Sequence, residues 1–97
     1  MMTDREIRRL LRRNLKAHGA AVELVKLVEE CCELGQAAAK LLTCGEITEF
    51  MIGRLAEEMA DVEICMEQAR MALIDLRERE DEWIDAKLRR MEAGLRG

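Results

Sequence analysis

Apolar residues recur every three or four positions along most of the chain, which is the period of one face of an α-helix and not the alternation of a strand. Leu10, Leu11 and Leu15 form a narrow stripe in a first segment. Leu24, Leu27, Val28, Cys31, Leu34, Ala38, Leu41 and Leu42 carry the pattern through a second. Core candidates of a third are Ile52, Leu55, Met59, Val62, Met66, Ala69 and Leu73, and a fourth offers Trp83, Ile84, Leu88 and Met91. Thr3 followed by Glu6 is the signature of a capping box, which predicts a first helix from about residue 3 to 17. His18-Gly19 breaks it, because glycine tolerates a left-handed cap, and His18 is read as part of that turn. The second helix is expected over 21–43, the third from near Ile47 after Gly45 in TCGEIT, and the last over roughly 81–94. No proline or glycine marks the boundary between the last two. The charge run in LIDLREREDEW interrupts the stripe there. The expected fold is all-α: a compact antiparallel helical bundle, one domain over residues 1–97.

A chain of 97 residues has little room for a large core of its own, so the apolar faces are expected to be completed by oligomerisation. An apolar fraction of 49% against 37% charged residues suits amphipathic helices and excludes disorder. The net charge of −4 is uneven: Arg5, Arg8, Arg9, Arg12, Arg13 and Lys16 crowd the first helix against only Asp4 and Glu6. Such a cluster is either a solvated face or a phosphate-binding one. Without interleaved aromatic residues it lacks platforms for base stacking, and nucleic acid is not the expected partner. Cys31, Cys32, Cys44 and Cys65 have no zinc-site spacing and are expected as reduced, mostly buried thiols. No leader, lipidation signal or long apolar run is evident, so neither a membrane nor secretion is expected, and a cytoplasmic location follows by default.

The chemistry lies in two acidic stretches beside the apolar faces. EECCE at 29–33 aligns with EEMAD at 57–61: Glu29 with Glu57, Glu30 with Glu58, and Glu33 with Asp61. The flanks align too, Cys31 with Met59, Leu34 with Val62 and Ala38 with Met66. At about 100° per residue, each module sets two acids along one edge of the apolar face. Ala37 and Cys65 extend that edge with small side chains. If the two helices pack antiparallel, Glu30, Glu33, Glu58 and Asp61 converge. Four anions buried together need compensation, and divalent cations supply it. An all-oxygen donor set without histidine favours magnesium or manganese over zinc. The missing Glu-x-x-His pair speaks against a di-iron bundle, whereas metal-assisted attack of water on a phosphate fits. The competing arrangement pairs the acids with helical cations, Lys26 four residues before Glu30 and Arg54 four before Glu58.

With KLVEECCEL, LAEEMADV and WIDAKLRRM, the chain resembles the all-α nucleoside triphosphate pyrophosphohydrolases of the MazG-like family, whose pattern is EExxE, a spacer, then ExxD. The resemblance covers most of the chain after the first helix. It implies a magnesium-dependent enzyme that cleaves a nucleoside triphosphate to the monophosphate and pyrophosphate. It further implies that Glu30, Glu33, Glu58 and Asp61 form the principal metal set, with Glu29 assisting a further cation or the attacking water. A homodimer or homotetramer, with sites near subunit contacts, belongs to the same implication. Lys87 matches a basic position of the last helix, and Arg90 lies three residues on; each is a candidate for phosphate or for a surface ion pair. Lys26 and Lys40 are weaker candidates. Trp83 is read either as a base-stacking residue or as a half-buried packing residue. TCGEIT is short and leaves the base and sugar undefined. The alternative to an enzyme is a non-enzymatic helical oligomerisation or regulatory interaction protein, which the Leu, Ala and Met stripes favour but the paired acidic modules do not. Nucleic-acid binding through Arg5 to Lys16 is a third possibility.

Overall fold

The computed structural model describes all 97 residues, and it is built of four helices with no strand. α1 spans Asp4–His18, α2 Ala20–Thr43, α3 Glu49–Ala72 and α4 Leu76–Arg96. No helix is long and apolar enough to cross a membrane. The Thr3 hydroxyl accepts the Glu6 backbone N–H at 3.1 Å and caps α1. Gly19, at φ 87°, makes the sharp turn into α2. α3 starts at Glu49, two residues later than the expected Ile47, because Thr48 caps it by accepting the Met51 N–H at 3.2 Å. The last helix starts at Leu76 instead of 81. The break falls in the apolar Leu73–Asp75 stretch, where Asp75 adopts a left-handed φ of 63°, and the charge run is helical.

That run is helical because its charges are already partnered by α3. Arg70 donates to both oxygens of Glu80, at 2.6 and 2.8 Å, and to Glu67 at 3.1 Å, while Arg77 also pairs with Glu67. The hydrogen bonds from Arg70 hold the Glu80 carboxyl below its ordinary pKa. Burial pushes Glu67 up, but the bonds from Arg77 and Arg70 outweigh it and hold this carboxyl low as well. Arg77 and Glu80 of REREDE therefore clamp α4 to α3.

The centre of the molecule is the α2–α3 hairpin. Its helices run antiparallel: Glu30 lies against Glu58, while Ala37 and Lys40 border the same cavity as Phe50 and Met51. On α2 the residues turned inward are Leu24, Leu27, Glu30, Leu34, Ala37, Leu41 and Cys44; on α3 they are Met51, Leu55, Glu58, Val62, Cys65, Ala69 and Ala72. Both series step by threes and fours, the repeat of a knobs-into-holes seam. Across one end of this hairpin lies α1. The Asn14 side-chain amide donates to Glu23 at 2.9 Å and to Gln68 at 2.6 Å, and Gln68 donates to the Leu11 carbonyl at 3.0 Å. Gln68 and Glu23 are almost fully buried, and this network ties three helices together.

The expectation of a compact bundle is not met by the single chain. Its radius of gyration is 16.6 Å, against about 13 Å for a compact domain of this length. The only fully buried apolar residues are Leu11, Val62, Cys65 and Ala69. Val28, Cys31, Ala38 and Leu42 on α2, and Ile52, Met59 and Leu73 on and just after α3, were core candidates and are exposed. So are Trp83, Ile84, Leu88 and Met91 on α4, which packs on α3 alone. Among the cysteines only Cys65 is buried; Cys31 and Cys32 are exposed and Cys44 is half-buried. The period was correct, but one hairpin seam covers only one stripe of each helix. α2 carries a second stripe, Ala21, Val25, Val28, Cys32, Gly35, Ala39 and Leu42, which repeats the same three-and-four step and is exposed along its whole length.

The Arg70 clamp predicts a local effect. Arg70→Met should speed amide hydrogen exchange in the first turns of α4 at neutral pH, while the α2–α3 seam stays protected. Equal loss of protection in both regions would mean that α4 docking does not rest on this residue.

Candidate metal centre

Glu30 and Glu58 occupy the place in the seam that leucine, valine or alanine fills in the layers on either side. The heptad spacing forces this position on them: Leu27, Glu30, Leu34 on α2 and Leu55, Glu58, Val62 on α3. Glu58 is 3% exposed and Glu30 half-buried. Glu33 and Asp61, each one turn further along its helix, sit at the rim, exposed and half-buried respectively. Glu30, Glu33 and Glu58 bring carboxylate oxygens within 4.8 Å of one another, and so do Glu57, Glu58 and Asp61. Glu58 belongs to both groups and is the hub of the layer.

This crowding is visible in the protonation of the layer. Burial, then the charges of Glu33, Asp61 and Glu58, push the Glu30 carboxyl above its ordinary 4.5. Burial and Glu33 push Glu58 up as well, with Asp61 adding to them and Arg54 opposing. One oxygen of each, Oε2 of Glu30 and Oε2 of Glu58, is buried with no hydrogen-bond partner. Buried oxygens without a partner are rare in folded proteins, and a donor or a cation would satisfy them. The nearest cation, Arg54, lies 3.4 Å from Glu58 and 3.7 Å from Glu57. Of the two expected pairings, Arg54 with Glu58 is therefore formed. Lys26 is not paired with Glu30; it lies 3.7 Å from Glu23.

Beside the layer opens a cavity of about 380 Å³, lined by Glu33, Glu57, Glu58 and Asp61 together with Gln36, Lys40, Phe50 and Arg54. No family model, curated protein or solved structure matches the chain. The cavity and the layer are thus interpreted from their own chemistry.

The expected site residues divide clearly. Glu30, Glu33, Glu58 and Asp61 converge. Glu29 is exposed and belongs to neither carboxylate group, whereas its counterpart Glu57 does. Lys40, the weakest basic candidate, lines the cavity; Lys26, Trp83, Lys87 and Arg90 do not. Trp83 is mostly exposed, not half-buried, and it carries the Lys87 ammonium and Arg90 guanidinium over its ring, 5.8 and 5.9 Å from the centroid. Neither Lys87 nor Arg90 forms an ion pair within the chain. Phe50 and Gln36 escaped notice in the sequence because their position depends on where the turn Cys44–Thr48 lets α3 begin. Glu23 and Gln68 carried a readable signal: Glu23 precedes Leu27 by four and Gln68 follows Cys65 by three, the spacing of the seam itself.

Four oxygen ligands without histidine fit a hard divalent cation. The buried Cys65 thiol does not compete, since burial and then Glu30, Glu23 and Asp61 push it above its ordinary pKa and keep it protonated. Both central glutamates have raised pKa values in the folded chain, so their contribution to stability is complete below pH 4.5 and is lost as pH rises through the raised values. Glu67 and Glu80 titrate in the opposite sense, and only a variant separates the two effects. In chelator, Glu58→Gln should melt at a higher temperature than the parent at neutral pH and lose the advantage on acidification below about 4.5. Melting curves that differ by the same amount at both pH values would show that the layer is not electrostatically strained.

Proposed function

We propose that the chain is a magnesium- or manganese-dependent nucleoside triphosphate pyrophosphohydrolase of the MazG-like kind. The observation that carries this reading is the pair of orphaned carboxylate oxygens, on Glu30 and Glu58, inside a layer whose rim acids face a cavity. Glu30, Glu33, Glu58 and Asp61 would hold the cation. When bound, it would neutralise phosphoryl oxygens and make water a stronger nucleophile. Lys40 and Arg54, which line the same cavity, would meet phosphate oxygens, and Phe50 offers an exposed aromatic face for a base. In the reaction, water oxygen bonds to the α-phosphorus and the bond to the bridging oxygen breaks. Pyrophosphate leaves, and the water proton passes to a carboxylate at the rim, Glu33 or Glu57. The repeated acids make a poor fit to a purely structural helix pair, where apolar residues at the same two positions would pack without this repulsion.

Assembly belongs to the same proposal. The second stripe of α2 and the Ile84, Leu88, Met91 and Leu95 stripe of α4 are exposed, and patches of this extent mark contact surfaces. Cys32, Gly35 and Ala39 leave room for a close helix approach. A homodimer or homotetramer would cover these stripes and could bring Lys87 and Arg90 of one subunit to the site of another. These faces are equally what a non-enzymatic interaction protein would present, and activity is what separates the two.

Purified protein with magnesium is expected to convert at least one nucleoside triphosphate to its monophosphate and pyrophosphate. Glu33→Ala and Asp61→Ala should each lower turnover by more than about a hundredfold while retaining helical content. Orthophosphate and a diphosphate as products would identify a different bond and a different mechanism. No cleavage across ribo- and deoxyribonucleotides would favour the interaction protein. In light scattering, the parent should run as an even-numbered oligomer and Val28→Lys as a smaller species. A parent that stays monomeric over the whole concentration range would remove the shared-site arrangement.

A further inference from the structure

The chain's largest concentration of unpartnered charge lies on α1, away from the acidic layer. Arg5, Arg8, Arg9, Arg12, Arg13 and Lys16 are all exposed, and none takes part in an ion pair or a side-chain hydrogen bond. At 3.6 residues per turn they share an arc of about 140°, and no other residue of α1 falls within it. Arg5, Arg8, Arg9, Arg12 and Arg13 alone line a surface depression of about 520 Å³. Each cation has another at i+3 or i+4, and Arg5 and Arg8 stand near the positive end of the helix dipole. No acid lies within ion-pair distance of any of the six, although Asp4 and Glu67 border one depression with Arg8, Arg12 and Lys16. On α3 and α4, by contrast, Arg54, Arg70, Arg77, Arg89 and Arg96 have acidic partners, and only Arg79, Lys87 and Arg90 do not.

We propose that this face docks on the phosphate backbone of double-stranded nucleic acid, without sequence preference. The stripe from Arg5 to Lys16 is roughly 16 Å long, which exceeds one triphosphate but matches the run of phosphates along a duplex. Single strands are a poorer match, because α1 has no aromatic residue on which bases could stack. A bilayer is a poorer match for another reason. Part of the apolar side of α1 is committed to the hairpin: Leu11 is buried, its carbonyl accepts from Gln68, and Asn14 is bonded to both Glu23 and Gln68. Ile7 and Leu10 are exposed, but they stand on the side of α1 away from the cations. The basic arc itself carries no apolar residue, and phosphate contacts need none. None of the six cations lines the acidic cavity, so the surface is independent of any hydrolase activity.

The test uses the full chain and a labelled random-sequence DNA duplex, with chelator present so that the acidic layer stays silent. Fluorescence anisotropy across a salt series is expected to show saturable binding, with log K falling against log salt at a slope of roughly −4 to −5. The triple variant Arg8→Gln, Arg9→Gln, Arg12→Gln should make the slope shallower by roughly three units and weaken binding at least about tenfold on every duplex tried. Its circular dichroism and melting should match the parent, because all three side chains are exposed. Absence of duplex binding at low salt overturns the proposal, as does binding that survives the triple variant. Tighter binding to phosphatidylglycerol vesicles than to duplex would assign the face to lipid and overturn it too. A parent oligomer that the triple variant dissociates, with no duplex binding, would assign the face to a second copy of the chain.

Discussion

Two carboxylates sit in a helix seam where the neighbouring layers hold aliphatic side chains, and most of the molecule is arranged around that conflict. Leu27 and Leu34 flank Glu30, Leu55 and Val62 flank Glu58, and the apolar pairs on both sides force the acids inward together. In water each would be ionised near its ordinary pKa. In the seam burial and the neighbouring carboxylates raise the pKa of each, and each leaves an oxygen without a partner. Replacing such a layer with aliphatic residues generally stabilises a helix pair. Keeping it makes sense when the layer binds something whose charge is positive and whose preferred donors are hard oxygens.

The hairpin can hold this strain because its open end is fixed by better-satisfied polar contacts. On one side of the acidic layer, Asn14, Glu23 and Gln68 form a buried network in which donors meet acceptors. Beyond it, Arg70 joins α3 to α4 through Glu67 and Glu80. Both are polar, yet they differ from the acidic layer in one respect: each anion there has a donor facing it. The protein therefore spends stability at one layer only, and at its most crowded point. The second apolar stripe of α2 and the apolar face of α4 stay exposed in the single chain, and the proposed oligomer would cover them.

Much of this was legible in the amino-acid order. The three-and-four period identified four helices, and the match of EECCE to EEMAD brought Glu30, Glu33, Glu58 and Asp61 to one place before any coordinates. Period alone could not say which stripe of a doubly apolar helix would be covered. Val28 and Leu42 belong to the stripe left open, while Cys31 and Ala38 flank the covered one too far out to be buried, and all four look as core-like as Leu27 and Leu34. The α4 boundary was misplaced because charge runs resemble linkers, and only the positions of Glu67 and Arg70 on the preceding helix reveal REREDE as a clamp. Lys87, Arg90 and Trp83 had a resemblance in their favour, but proximity to the acids depends on the path of α4, which sequence spacing does not encode. Glu57 was passed over for Glu29 because the two stand at equivalent points of the modules, and only the packing breaks that equivalence.

The proposed cation site centred on Glu58 is tested most directly by titrating manganese into the metal-free protein at neutral pH and following free ion by electron paramagnetic resonance. Saturable binding is expected, with release of protons as the raised pKa values of Glu30 and Glu58 fall on coordination. Glu58→Gln should abolish it, because that residue alone belongs to both carboxylate groups, whereas Glu29→Gln should leave it intact. No binding by the parent protein, or equal binding by the Glu58→Gln variant, would contradict the claim.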